Sequence, residues 1–499
     1  MWGGAALNVQ LGLPTDRVGP HDADGPVAVD QRVVWLVLVS ATVVAAALRL
    51  PFLGHQSLWF DEIYTRRIVG EPSLLGVWNR VQATESTPPL YYVLAWLLGG
   101  RSAVSMRLIP TCALILAVPV SYLAFRRFVG EWAALATAAI VAVSPELVEY
   151  SMDARAYGLL VLTGLLSVWG FSCVLERNSR SRYLAWATAA TACVWTHYFG
   201  FFLVAAEVSV LLTIRSAARR ATAGWSVLIA ACLAPLLPLV LRQNGDERAA
   251  FISGLPLMNR LTQTVREFAM GANVPRTWLE AAGLAVASVA LASGVVLAAR
   301  SESRSRTLLA LAGLAFVVPL AVAALGIEDR FYARNLVFVV PLVAALAAPA
   351  LLRLRGVPLA LYLALAALTS LWLATNWRYE QTDWRGALAR TRAIDPTAGT
   401  IAVTQFGEPV AQTYLGRAPT TTSVLARRAW VVIEPYRATH HRALGPAPVP
   451  TAISTGLPGF RPLEELIVHG FRLILIGTGR PLPIVPDKLP GTAVFAPPT

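Results

Sequence analysis

Two adjacent carboxylates, Asp61 and Glu62, stand in the segment SLWFDEIYTRR (57–67) among Trp59, Phe60, Ile63 and Tyr64. Acids in aromatic and apolar company lose water, which raises a carboxylate pKa and suits it to general-base work. Arg66 and Arg67 follow at once, so simple charge pairing in a loop is the plainer alternative. A further acid, Glu85, precedes the double proline of ATESTPPLYY (83–92), where proline opening a helix is ordinary. The segment SPELVEYSMDARAYGL (144–159) sets Glu146, Glu149, Asp153 and Arg155 between apolar stretches. Arginine in a first helical turn opposes the helix dipole, which lends Arg155 weight as a binding residue. An Asp153–Arg155 ion pair is the structural alternative.

Basic chemistry is concentrated in GIEDRFYARN (326–335), with Arg330 and Arg334 four residues apart. On a helix that spacing puts both guanidinium groups on one face, where they can clamp a phosphate or pyrophosphate. Anchoring to anionic headgroups is the competing use. His197-Tyr198 sits between two short apolar blocks, and a lone histidine there serves packing as readily as ligation. It has no partner at metal-ligand spacing, so no metal site is assigned, although a divalent metal stays open.

The elements that must hold these residues are membrane helices. Of 499 residues, 56% are hydrophobic and 14% charged, with a mean hydropathy of +0.56. The apolar residues fall in blocks of about 17–22, long enough to cross a bilayer. The formal charge of +13 does not imply nucleic acid, because most arginines flank apolar blocks as cytoplasmic loops do. Cys112, Cys173, Cys193 and Cys232 all lie in apolar blocks, without redox or metal spacing.

Arginine placement sets the topology. Residues 1–32, rich in Gly, Pro and Asp, are expected to be a disordered cytoplasmic tail. A first span follows at about 33–50, its acidic and long leader arguing against a cleaved signal peptide. The apolar stretch PPLYYVLAWLLGG (88–100) is too short to cross and reads as an interfacial helix in a long outer loop, 51–103. Later spans are expected near 104–125, 131–145, 155–175, 184–196, 198–214, 224–242, 277–299, 308–326, 335–352 and 357–375. That makes an all-α polytopic domain of about eleven helices over 33–375, with the N-terminus inside and the C-terminus outside. Residues 376–499 are expected to form a small extracytoplasmic α/β domain. WRYEQTDWRGALARTR supplies a helix, and TIAVTQF, WVVIEPY and RLILIGT supply strands.

In order along the chain, SLWFDE, TPPLYYVLAWLLGG, SMRLIP with Arg107, SPELVEYSMDARAYGL, THYFGFF and DRFYARNLVFVVP resemble the GT-C superclass of glycosyltransferases. The nearest resemblance is to the family 39, protein O-mannosyltransferase-like and aminoarabinose-transferase-like group, over roughly residues 33–345. The resemblance implies a polyprenyl-phosphate sugar donor and inverting transfer to a hydroxyl of a glycolipid, polysaccharide or protein. It places the catalytic acid at Asp61, support at Glu62 and a second-loop acid at Asp153, where relatives often carry Glu. Arg330, Arg334 and Arg155 fall to the donor phosphate, and Glu85, His197 and Tyr198 to the acceptor or the rest of the site. A bacterial plasma membrane is the expected location. A lipid or small-molecule transporter is the rival reading, but its usual internal repeats are not apparent, and the charges sit in loops rather than mid-span. A scaffold without catalysis would tolerate changes at Asp61 and Asp153.

Overall fold

The computed structural model describes residues 29–498 apart from 216–217, 245–249, 275–276, 302–303, 380 and 438–443. The polar segment read as a cytoplasmic tail therefore lies, up to residue 28, outside the described residues. Helix α1 (Gln31–Ala47) begins two residues before the expected span, capped by Asp30, whose side chain accepts from the Arg32 amide.

Between the first two spans lie three short helices, α2 (Phe60–Val69), α3 (Leu74–Thr84) and α4 (Leu90–Leu97). At a rise of about 1.5 Å per residue α4 is far too short to cross a bilayer, as its prolines and length lead one to expect. Then come α5 (Ala103–Val129), α6 (Glu131–Val143), α7 (Pro145–Ser151), α8 (Tyr157–Glu176), α9 (Arg180–Thr196) and α10 (Gly200–Ile214). They are followed by α11 (Arg219–Leu233), α12 (Leu237–Asn244), α13 (Ala250–Ser253), α14 (Leu257–Met270), α15 (Trp278–Arg300) and α16 (Arg304–Ala324). A 3-10 segment, Ala333–Val339, runs into α17 (Val340–Leu351), and α18 (Val357–Thr375) closes the bundle.

Each expected span has a helix, but not all are long enough to cross alone. Among the described residues eight helical segments have span length and hydropathy, and α6 with α7, bent by 52°, makes a ninth. Helices α9 and α10 fall short at 17 and 15 residues, so the count of eleven is not established. The bundle interior is formed by α5, α8 and the Ala333–Leu351 segment. Helices α11, α15 and α16 turn Val227, Val289 and Val317 outward, an apolar girdle that suits lipid and not water. Close helix approach depends on glycine: a Cβ at Gly170 would stand 2.7 Å from the Trp186 Cα, and one at Gly294 would collide with the Leu346 carbonyl.

The C-terminal segment folds as expected into α19 (Trp384–Ile394), β1 (Gly399–Val403), α20 (Glu408–Leu415), β2 (Val424–Ile433), β3 (Tyr436–Arg437), β4 (Leu444–Gly445), α21 (Thr451–Gly456), β5 (Arg461–Val468), β6 (Phe471–Ile484) and β7 (Thr492–Phe495). The main sheet has the order β5-β6-β2-β1-β7, with β1 and β2 parallel across α20 and the other pairs antiparallel. Alternation along β2 divides its side chains: Ala429, Val431 and Ile433 pack on one face, Trp430 and Val432 on the other. The second face shares a core with Leu58, Ile63, Met106 and Ala154 of the helical part. Backbone-directed bonds add to this seam, with Tyr414 accepting from the Leu58 amide at 2.7 Å and Arg385 reaching the His55 carbonyl at 2.6 Å. The sheet is thereby fixed against α2.

Candidate active site

Helix α2 puts its two acids to different uses. Glu62 is fully buried and receives Arg107 at both oxygens, Nε to Oε1 at 2.7 Å and Nη2 to Oε2 at 2.5 Å. The Ala154 amide adds a third bond at 2.8 Å. Arg107 in turn donates to the carbonyls of Leu53, Gln56 and Ser57. Charge-assisted bonds of this density lock α2, α5 and the 152–156 connection together. Glu62 does not line the cavity; its carboxylate is taken up by the fold, so the support it gives Asp61 is through the placement of α2.

Asp61, one residue earlier, faces a cavity of about 780 Å³. Its neighbours on the wall include Glu85, Arg155, Tyr157, His197, Tyr198, Arg330, Arg334 and Asn335. Seven of the residues singled out from sequence thus converge on one space from α2, the α3–α4 turn, the α7–α8 connection, the α9–α10 turn and the α16–α17 connection. Asp61 meets Arg334, at 3.8 Å from Oδ2 to Nη1, rather than Arg66 or Arg67. That separation is an ion pair too long for a hydrogen bond, so both carboxylate oxygens keep lone pairs available.

The other cavity groups are more fully engaged. Arg155 grips Glu85 with two bonds, at 3.0 and 2.6 Å, and Glu85 also accepts from the Tyr92 hydroxyl at 2.8 Å. This pairing stands in place of the Asp153–Arg155 ion pair, the structural alternative. His197 is buried, and its Nδ1 accepts the Phe199 amide, which leaves the ring proton on Nε2. Burial, then the charges of Arg334 and Arg155, push its pKa down to about 3, so the ring is neutral at ordinary pH. Among the described residues no three His, Cys, Asp or Glu side chains gather as a metal site, and His197 joins none. Tyr198 donates to Gln243 at 2.7 Å.

Asp153 does not reach the cavity either. It lies behind Trp59, accepting from the indole Nε1 at 3.1 Å, and Trp59 is the wall residue. Burial, then the nearby charge of Glu62, hold the Asp153 carboxyl above the ordinary carboxylate range.

Arg330 and Arg334 do not share a helical turn. Residues 328–332 are neither helix nor strand, with Tyr332 extended, and Arg334 lies in the 3-10 segment, so the four-residue spacing brings no common helical face. This run is held by Arg260 on α14, which binds Asp329 through 2.6 and 2.7 Å bonds and the Phe331 carbonyl at 2.8 Å. Both arginines still line the cavity. Arg330 is engaged by Glu328 and Asn244. Arg334 instead lies over the rings of Phe251 and Tyr332, each 5.5 Å away, and its buried Nε has no hydrogen-bond partner.

Sequence reading missed Tyr157, Asn335 and Phe406 as wall residues. Phe406 comes from the C-terminal part and meets Phe60 edge-on at 5.8 Å. No local signal marks it, because it lies 345 residues from Asp61 and arrives only when the sheet docks on α2.

The profile of the dolichyl-phosphate-mannose-protein mannosyltransferase family matches residues 86–241. Among curated proteins none matches in sequence. Among solved structures the chain is similar to ArnT from Cupriavidus metallidurans bound to undecaprenyl phosphate, with a TM-score of 0.57 and 14% identity over 90% of this chain and 98% of that one. The apo form gives the same score and identity, over 94% and 99%. A weaker likeness, at a TM-score of 0.46 and 14% identity, covers 77% of this chain and 62% of the Archaeoglobus fulgidus oligosaccharyltransferase. Over residues 86–241 the chain is thus similar to the mannosyltransferase family, and over nine-tenths of its length its fold is similar to that of ArnT.

Proposed function

We propose that the protein is a membrane glycosyltransferase that moves a sugar from a polyprenyl-phosphate donor to a hydroxyl on a glycolipid, polysaccharide or protein. The observation that carries this is the pairing of Asp61, a carboxylate with open lone pairs, with Arg334, a cation with an unpartnered Nε, in one cavity. The arginine-rich loops support a cavity opening on the extracytoplasmic face of a bacterial plasma membrane, with the N-terminus inside and the C-terminus outside. That ArnT, of similar fold, is found with undecaprenyl phosphate supports a lipid-phosphate donor.

The chemistry follows from where charge develops. Asp61 takes the proton of the acceptor hydroxyl as its oxygen attacks the anomeric carbon. The bond from that carbon to the phosphate oxygen breaks through an oxocarbenium-like state, and its electron pair leaves with the polyprenyl phosphate. Arg334, assisted by Arg330, holds the departing phosphate as its charge grows. One displacement inverts the anomeric centre. The Glu85–Arg155 pair keeps the wall rigid, and Asp153 keeps Trp59 in place.

The test is a nanodisc assay of the full-length protein with a panel of polyprenyl-phosphate sugars carrying mannose, arabinose-type or galacturonate groups. One donor should be consumed, and Asp61→Asn should lower that turnover by about 10³-fold while the protein stays folded. Undiminished turnover in Asp61→Asn would remove Asp61 from the reaction, and no donor consumed with acceptor present would return the transporter reading.

A further inference from the structure

We infer that a second site, for a phosphate group carried by the acceptor, lies on the far side of α2 from the cavity, in the seam with the C-terminal part. This inference deepens the transferase reading and rests on it. Two hollows, of about 420 and 380 Å³, adjoin there, with Thr413, Gly416 and Arg417 lining both. The first is walled by Arg66 and Arg67 of α2 together with Arg417, and no acid lines it. The second adds Arg392, the indole of Trp430 and one acid, Asp395, whose carboxylate is taken by Arg428 and Thr397.

Arginines at the end of α2 suit the helix dipole, and Arg67 also donates to Gln412, so part of this cluster has a structural explanation. Two observations are left over. Arg417 has a buried Nε with no hydrogen-bond partner, and Trp430, 1% exposed, has an Nε1 with none. Buried donors are almost always satisfied, and these two belong to residues walling the same hollow. Burial, then the neighbouring Arg392, lowers the Arg417 pKa. Arginine donors in a fork, with an indole N–H beside them, match the acceptor oxygens of a phosphate monoester.

The position on α2 connects the site to the reaction. Arg66 and Arg67 follow Asp61 by five and six residues, a rise of about 7–9 Å along the helix axis. Because the cluster lies on the other side of α2, about 10–12 Å across with its side chains, an acceptor held there presents a hydroxyl to Asp61 when it extends two or more sugar units beyond its phosphate. The anionic group then fixes orientation while Asp61 does the chemistry.

The experiment uses full-length protein carrying Arg334→Gln, to weaken phosphate binding in the cavity, in nanodiscs of neutral lipid. Titration with inorganic phosphate and with glucose 1-phosphate should show saturable binding, weakened at least tenfold by the triple change Arg66→Gln, Arg67→Gln and Arg417→Gln. Arg417→Lys, which keeps the charge, should bind better than Arg417→Gln at equal thermal stability. Binding that is absent, or indifferent to these changes, overturns the site. Repeating the titration in nanodiscs containing phosphatidic acid separates the sources: no competition supports an acceptor phosphate, whereas competition makes the cluster a headgroup anchor and overturns the acceptor assignment. None of these measurements involves turnover, so a failure of the transferase reading would show in the Asp61→Asn assay and leave the binding result standing. In the working enzyme the triple change should raise the acceptor KM without altering donor affinity.

Discussion

Asp61 and Glu62 are consecutive residues on one turn of α2, and they belong to two different regions of the molecule. Glu62 faces the junction with α5, has no exposure, and receives three strong bonds from Arg107 and Ala154. Asp61 faces the cavity, and the cation nearest its carboxylate, Arg334, stands 3.8 Å away, while Arg155 bonds only its backbone carbonyl. A buried carboxylate with every lone pair directed into the scaffold has no capacity left for a substrate. One that is held near a cation but not bonded to it is prepared for a proton and a developing charge. The same division separates Arg107 from Arg334: the first is saturated with carbonyls and a carboxylate, the second rests on aromatic rings with a donor unspent.

If this division is right, the two acids fail in different currencies. Glu62→Gln should leave Arg107 as an uncompensated buried charge and cost about 3–5 kcal/mol of stability, read as a lowered Tm in detergent and reduced yield from the membrane. Asp61→Asn should leave both unchanged. A Glu62→Gln protein with wild-type Tm but no turnover would move Glu62 into the site and dissolve the comparison.

Arg334 sharpens the cavity side. Charge-assisted bonds to a phosphate are worth about 1.5–3 kcal/mol, so Arg334→Gln should cost roughly 10–100-fold in kcat/KM for the donor. Arg334→Lys keeps the charge but loses the planar fork and the fit over Phe251 and Tyr332, and should recover only part of that loss. Complete recovery by lysine would reduce Arg334 to a point charge.

The Glu85–Arg155 pair lies between the two extremes, on the cavity wall yet mutually satisfied. Glu85→Gln and Arg155→Gln should each lower stability by about 1–3 kcal/mol, and the double change should cost less than their sum. Strict additivity in thermal unfolding would show that the two do not act as a unit.

The distribution of legible and illegible features follows the range of the interactions. Apolar blocks and arginine-rich ends mark nearly every membrane helix, because span length and loop charge are local properties. The strands TIAVTQF, WVVIEPY and RLILIGT were equally plain from alternation. What could not be read locally was pairing. Glu62 finds its partner 45 residues away and Arg155 finds Glu85 70 residues away, so neighbours such as Arg66 and Asp153 were natural but mistaken partners. The Arg330–Arg334 spacing failed for a different reason. Arg260 captures Asp329 and the Phe331 carbonyl, and the segment they hold is not the helix that would align the two guanidinium groups. Phe406 could be placed only once the sheet and α2 shared a core.

His197 offers the smallest and most specific test, since it tells a neutral wall residue from a working acid or base. Its folded pKa is about 3, set by burial and by Arg334 and Arg155, against an unfolded value of about 6.5. Between those values the unfolded chain binds one proton more than the folded one, so the stability of the wild type rises with pH across the window and is flat above it. His197→Gln removes this contribution, and its Tm should fall less than that of the wild type as the pH is taken from 7 to 4. Because the folded ring stays neutral throughout, turnover between pH 6 and 8 should keep the same profile in both proteins. A wild-type activity step near 6.5 that vanishes in His197→Gln would mean that the ring gains a proton inside the folded cavity, against the two arginines, and would make it a participant in the proton transfer now given to Asp61.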